Sequence, residues 1–280
     1  MRVLFIGDIV GQPGVQIVVR ALPWLREHER LDVILANAEN AAGGSGLTPA
    51  LYRRLRGAGV DAFTMGDHIY KKQEIISVMN EDGPLCKPAN FPPEAPGKDF
   101  VLVTTRDGLT LAVFTVLGRL FTRPVDCPFR AADRVLEVIG DRAKCILVDV
   151  HAEATGEKAL LGRYLDGRVS AVVGTHTHVP TADERILPGG TAFLTDTGMT
   201  GPYESILGRR IDRVLQTTLT FLPTAFDVAT GDPRLAGAIV EIDSASGRAV
   251  SIRRLLLSEK EIGVSASPEV HSDHPAPGQS

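Results

Sequence analysis

At 280 residues, 44% apolar and 23% charged, the chain has the length and composition of one large globular α/β domain rather than a disordered or fibrous protein. Its formal net charge is −4 and its basic residues are not gathered into one stripe, which argues against a nucleic-acid polymer as main partner. A small phosphorylated molecule stays open as a partner, because a bound metal can supply the positive charge.

In chain order, Met1 to Ile6 is a short apolar run stopped by Gly7-Asp8, too short and wrongly flanked for a signal peptide. No later apolar run approaches membrane-spanning length, so a cytoplasmic protein without a membrane partner is expected. Val3–Ile6, Val33–Ala36, Ala62–Met65, Cys145–Val150 and Val169–Val173 read as strands covered on both faces, being nearly continuous in apolar residues. A first helix is expected from about Pro13 to His28, kinked or ended by Pro23. Thr48-Pro49 starts another, with Thr48 as N-cap and Gly57 or Gly59 as the stop. Residues 81 to 99 hold several prolines and read as a long loop of the kind that carries function. Phe100–Thr105 and Leu109–Val116 flank Arg106-Asp107-Gly108, a hairpin turn, and a second hairpin joins Gly237–Ile242 to Ala249–Leu255. The three cysteines, Cys86, Cys127 and Cys145, form no paired motif and read as reduced thiols. Mixed βαβ units and hairpins predict two packed sheets with helices outside. Residues 264–280, rich in Ser, Pro, His and Asp, are expected to be a disordered tail beyond a single domain of residues 1–263.

The residues that end each apolar run carry the chemistry. Gly7-Asp8 ends the first, Asn37-Ala38-Glu39-Asn40 the second, Gly66-Asp67-His68 the third, His151 the fourth, and Gly174-Thr175-His176-Thr177-His178 the fifth. In open α/β sheets the ligand crevice lies at the carboxyl ends of the strands, so these residues can converge. His176 and His178, two apart in an extended segment, would point to one side. Taken singly, each has a bland explanation. An Asp after a strand commonly forms a turn or caps a helix, and one buried His is commonly a hydrogen-bonded structural residue. Those explanations leave the coincidence unexplained: four of the seven histidines come after strands alongside carboxylates that do the same. His28, His271 and His274 are given no role.

Imidazole and carboxylate donors without thiolates suit Mn, Fe or Zn and are too rich in nitrogen for Ca or Mg alone. There are more donors than one tetrahedral ion needs. Two ions sharing a carboxylate would use them, and Glu39 is central enough to be the bridge.

The order Asp8, Glu39-Asn40, Gly66-Asp67-His68, His151 and Gly174-Thr175-His176-Thr177-His178 resembles the calcineurin-like metallophosphoesterases. Gly7-Asp8-Ile9-Val10-Gly11, Asn37-Ala38-Glu39-Asn40, Lys87-Pro88-Ala89-Asn90-Phe91-Pro92 and Asp196-Thr197-Gly198-Met199-Thr200-Gly201-Pro202 are similar to their YmdB-like branch, in order, from Met1 to about Gly263. The resemblance implies an α/β/β/α sandwich of two mixed β-sheets and a di-iron or di-manganese site that hydrolyses 2',3'-cyclic nucleotides. It implies that Asp8, Asn40 and His178 hold one metal and that Asp67, His151 and His176 hold the other. Glu39 would bridge the two and His68 would be the proton donor. One position departs: the family usually has Asn where this chain has Asp67.

The mechanism expected from those parts is in-line attack on phosphorus by water activated between the metals, with His68 protonating the leaving ribose oxygen. Other catalytic motifs are missing. Gly43-Gly44-Ser45-Gly46-Leu47 ends in Leu and is no nucleophile elbow, and Gly7, Gly11 and Gly14 have the wrong spacing for a dinucleotide fingerprint. Three rivals stand beside the cyclic-nucleotide reading: a broader phosphomonoesterase, a 3',5'-cyclic nucleotide phosphodiesterase, and a regulatory protein that binds a nucleotide at a weak metal site. Substrate contacts, base preference and assembly into homo-oligomers are left open by the residues.

Overall fold

A strand that is apolar on both faces needs a cover on each, and the computed structural model of the chain supplies both. It describes residues 1–263, so the tail expected at 264–280 lies outside the described residues. The chain first lays down β1 (Arg2–Ile6), β2 (Asp8–Ile9), α1 (Gly11–His28), β3 (Val33–Asn37), α2 (Pro49–Ala58), β4 (Ala62–Thr64), α3 (Ile76–Asn80) and β5 (Leu85–Cys86). Strands β1, β3, β4 and β5 pair side by side in parallel.

A second sheet is built from β6 (Phe100–Thr104), β7 (Thr110–Leu117), α4 (Pro128–Ile139), β8 (Cys145–His151), α5 (Thr155–Leu165), β9 (Ala171–Thr175), β10 (Arg185–Ile186) and β11 (Ala192–Leu194), with the two helices against its outer face. Its centre is parallel, and β6 and β10 are antiparallel edges. The chain then returns to the first sheet with β12 (Met199–Glu204), α6 (Ile211–Thr220), β13 (Gly231–Ile242) and β14 (Ala249–Ser258). Among the described residues the result is one sheet of eight strands and one of six.

Alternation along β1 shows how the layers stack. Leu4 and Ile6 pack with Val15, Val18 and Leu22 of α1, while Val3 and Phe5 pack with Leu111, Val113 and Leu147 of the second sheet. On the far side of that sheet, Phe114 and Val148 meet Ala132 and Val135 of α4 and Leu161 of α5. Three apolar cores therefore separate four layers, the α/β/β/α sandwich expected.

Local expectations mostly hold. Thr48 Oγ1 accepts the backbone N–H of Leu51 at 3.3 Å, Pro49 opens α2, and Gly59 ends it in the left-handed region at φ 113°. Both hairpins form, although β13 starts earlier, at Gly231, because its first residues pair with β12. Of the two outcomes expected at Pro23, one is excluded: it does not end α1, which runs on to His28. An interior proline costs about 3 kcal/mol, whereas burying a leucine contributes about 1.5–3 kcal/mol, and Leu22 and Leu25 on either side of the exposed Pro23 are both buried. Residues 81 to 99 are braced by buried polar groups. Asn90 Nδ2 donates to the carbonyls of Leu117 and Asp126, its Oδ1 accepts from Leu117 N, and Lys87 Nζ lies 2.6 Å from Asp99 Oδ1. Among the described residues no helix is long and apolar enough to cross a membrane.

Candidate metal centre

Parallel strands deliver their carboxyl ends to the same side, and the polar residues that stop the apolar runs meet there across the two sheets. The first sheet brings Asp8, Glu39, Asn40, Asp67 and His68; the second brings His151, His176 and His178. Donor atoms of Glu39, Asp67, His151 and His176 all lie within 4.8 Å of one another. His151 Nε2 is 3.2 Å from Glu39 Oε1 and 3.4 Å from Asp67 Oδ1. His176 Nδ1 is 3.0 Å from His151 Nε2 and 3.8 Å from Asp67 Oδ1.

Asp8, Asn40 and His178 form the adjoining flank. His178 Nε2 lies 3.9 Å from Asp8 Oδ1 and 3.3 Å from Asn40 Nδ2, and Asn40 Nδ2 lies 3.3 Å from Glu39 Oε1. Glu39 thus touches both flanks. Asn40 turns its amide nitrogen to these donors and its oxygen to His68 Nδ1, at 2.8 Å, so ligation through oxygen requires a half-turn of the amide. His68 stands outside the four-residue group, with its backbone N–H donating to Glu39 Oε2 at 3.1 Å and its ring partly open to solvent. All eight residues singled out from the sequence therefore come together.

The route taken by the two histidines of the last strand differs from the expectation. Strand β9 stops at Thr175, and His176 and His178 both adopt left-handed backbone conformations, φ 94° and 64°, rather than an extended run. Such conformations cost about 1–3 kcal/mol each for residues other than glycine and persist only where surroundings enforce them. Here the enforcement is visible. His176 N donates to Asp8 Oδ2 at 3.0 Å, and Thr177, between the two histidines, gives both its N–H and its hydroxyl to Asp196 Oδ2.

The electrostatics fit a bound cation. Asp8 Oδ1 and Asp67 Oδ1 are buried acceptors with no hydrogen-bond donor among the described residues. Burial pushes the Asp8 carboxyl up, since the charged form is desolvated. Burial acts on Glu39 too, but His151 and His68 overcome it and hold its carboxyl well below the usual range. Burial disfavours the His151 cation, yet Glu39, Asp67 and Asp8 together raise it well above an ordinary imidazole. His176 is pushed down to about 4 by burial and by the neighbouring His151. An imidazole, His151, drawn toward protonation by buried carboxylates, beside acceptors without donors, marks a place where positive charge is wanted. Even the backbone makes room. A Cβ on Gly66 would run into Glu39 Oε2 and His151 Nε2, so only glycine lets the chain pass this close.

Sequence reasoning missed the groups beneath these residues. Asp149 is fully buried in β8 and reads in the sequence as part of an apolar run; a lone carboxylate inside such a run was the signal. Lys158 and Asp196 form a buried ion pair at 2.6 Å, and Glu153 Oε2 lies 3.3 Å from His176 Nε2.

The chain is similar to known proteins over nearly its whole length. The family described as YmdB-like protein matches residues 4–255. The 2',3'-cyclic-nucleotide 2'-phosphodiesterase of Bacillus subtilis (strain 168) is 47% identical over 259 residues, covering 92% of this chain and 98% of the relative. A crystal structure of a hypothetical protein from Thermus thermophilus superposes with a TM-score of 0.87 at 45% identity, covering 92% of this chain and 99% of that one. A crystal structure of a novel phosphatase from Mycoplasma pneumoniae superposes with a TM-score of 0.86 at 28% identity, covering 92% and 93%. Sequence match and fold agree over nearly the whole length, and the chain belongs to the YmdB-like protein family.

Proposed function

We propose that the chain is a metal-dependent phosphoric diester hydrolase that opens 2',3'-cyclic nucleotides, using two Fe or Mn ions. The observation that carries this reading is Glu39, whose carboxylate touches both the Asp67–His151–His176 group and, through Asn40, the Asp8–His178 flank. The Bacillus subtilis relative's name supplies the substrate class. Asp67, His151 and His176 would hold one ion, Asp8, Asn40 and His178 the other, and Glu39 both. Bound there, such ions polarise the phosphoryl group and make a water nucleophilic at neutral pH.

The residues do the rest. Half-exposed Asp67, His68 and His176 form the open side of the centre, where a phosphate can enter, while Asp8, Glu39 and His151 close its floor. His68 Nδ1 lies 2.8 Å from the Asn40 amide. Once that amide is turned so that its oxygen can ligate, Nδ1 accepts from Asn40 Nδ2 and the ring hydrogen sits on Nε2, from which it would pass to the leaving 2' oxygen as the ester bond breaks. Residues 1–263 act as one catalytic domain in a soluble, cytoplasmic enzyme.

Metal analysis of purified protein, followed by turnover of 2',3'-cyclic nucleotides, 3',5'-cyclic nucleotides and phosphomonoesters with the metal found, tests the proposal. About two ions per chain and preferential opening of the 2',3'-cyclic ring are expected. One ion at full activity, or faster monoester hydrolysis, overturns it.

A further inference from the structure

Asp149 sits two residues before His151 on β8, wholly shut off from solvent, and its carboxylate is fully engaged. Its Oδ2 accepts from Asn37 Nδ2 at 3.0 Å and Thr64 Oγ1 at 2.6 Å, and its Oδ1 accepts from Thr175 Oγ1 at 2.6 Å. The Asn37 amide has a defined sense, because its Oδ1 accepts the Glu39 N–H at 3.2 Å. Thr175 Oγ1 also lies 2.8 Å from His151 Nδ1.

A hydroxyl carries a single proton. Donated to the buried carboxylate, in a short charge-assisted bond, it leaves the hydroxyl oxygen facing His151 as an acceptor. Nδ1 must then carry the ring hydrogen. The opposite assignment would press a hydroxyl lone pair against a desolvated carboxylate oxygen at 2.6 Å, which is repulsive. Asn37 Nδ2 also approaches Nδ1, but at 3.4 Å, outside the usual range for such bonds. With Nδ1 protonated, the lone pair of His151 is on Nε2, the atom that faces Glu39, Asp67 and His176.

We propose that Asp149 and Thr175 are positioning residues, a carboxylate–hydroxyl relay that holds His151 in the tautomer with hydrogen on Nδ1 and its Nε2 lone pair aimed into the centre. The inference rests on His151 being a metal ligand, as proposed above, and adds what prepares it for that role. Metal-binding histidines commonly give their second nitrogen to a carboxylate or carbonyl. Here a hydroxyl is inserted, so the carboxylate can sit deeper and tie Asn37 and Thr64 of the first sheet to the second.

Asp149→Asn is the informative variant because it inverts the relay at nearly constant shape. Its amide oxygen is needed opposite the Asn37 and Thr64 donors, so its amide nitrogen meets Thr175. The hydroxyl must then donate to His151 Nδ1, driving the ring hydrogen to Nε2. Long-range proton–nitrogen NMR of the metal-free protein, at a pH high enough for a neutral ring, reads the tautomer, with the His151 signals assigned from a His151→Gln variant. Wild type and Thr175→Ser should show a protonated Nδ1; Asp149→Asn should show a protonated Nε2; Thr175→Val should lose the preference. Mn²⁺ titration should show binding weakened about 10- to 100-fold in Asp149→Asn and Thr175→Val, and preserved in Thr175→Ser. A protonated Nε2 in wild type, or a Thr175→Val tautomer identical to wild type, overturns the relay. A tautomer that changes as expected while Mn²⁺ affinity does not upholds the relay and removes His151 from the ligand set instead. If Asp149→Asn does not fold, the Thr175 pair carries the same decision.

Discussion

Lys158 Nζ stands 2.6 Å from Asp196 Oδ2, with both side chains shut off from solvent, and the same oxygen receives the Thr177 hydroxyl at 2.6 Å. The pair therefore reaches, through one residue, the two histidines that enter the centre in left-handed conformations. Removing one partner of a buried pair leaves an uncompensated charge and typically costs about 3–5 kcal/mol. Lys158→Met should lose about that much in urea unfolding, and adding Asp196→Asn should recover part of it. A loss under about 1 kcal/mol would show that the carboxylate finds another partner.

Gly66→Ala should abolish metal binding at the Glu39–Asp67–His151–His176 group without altering any donor. The added methyl would occupy the space of Glu39 Oε2 and His151 Nε2. Gly57→Ala is the control: nothing stands near a Cβ there, within α2, and stability should stay level or rise by about 0.5–1 kcal/mol. Calorimetric Mn²⁺ titration of both variants checks the pair. Normal binding by Gly66→Ala would mean that the backbone can move away.

Asp67→Asn tests the departure from the family's usual residue. Either side chain can present an oxygen where Asp67 Oδ1 now lacks a donor, so the variant should fold and load metal. Loss of the carboxylate charge should shift the preference among Mn²⁺, Fe²⁺ and Zn²⁺, read by competition binding. Failure to load an ion at His151 and His176 would show that the charge is required.

His68→Ala should keep its metals and its affinity for substrate and lose kcat by about 10²- to 10⁴-fold on a 2',3'-cyclic nucleotide, because a proton donor acts as the bond breaks. An ester with an activated leaving group should be hurt much less. Equal losses on both substrates, at checked metal content, would assign His68 some other role.

The residues that stop each strand are legible in the sequence, because an apolar run ends where its side chains must meet water or a ligand. Asp8, Glu39, Asp67 and His151 stand at such ends, and parallel strands put their carboxyl ends together. Thr48, Pro49 and Gly59 are legible for a similar reason: a helix cap is chemistry within a few residues. Periodicity reports only what is local, and the rest is not. Whether Pro23 ends α1 was decided by Leu22 and Leu25 finding a sheet to bury against. The bend that carries His176 and His178 was decided by Asp8 and Asp196, distant in sequence, whose oxygens hold the turn. Asp149 looks like an interruption in an apolar strand until Asn37 and Thr64 arrive from the other sheet to satisfy it. A buried polar group is tolerable only with its partners in place, and partners brought from another sheet exist only once the two sheets have packed.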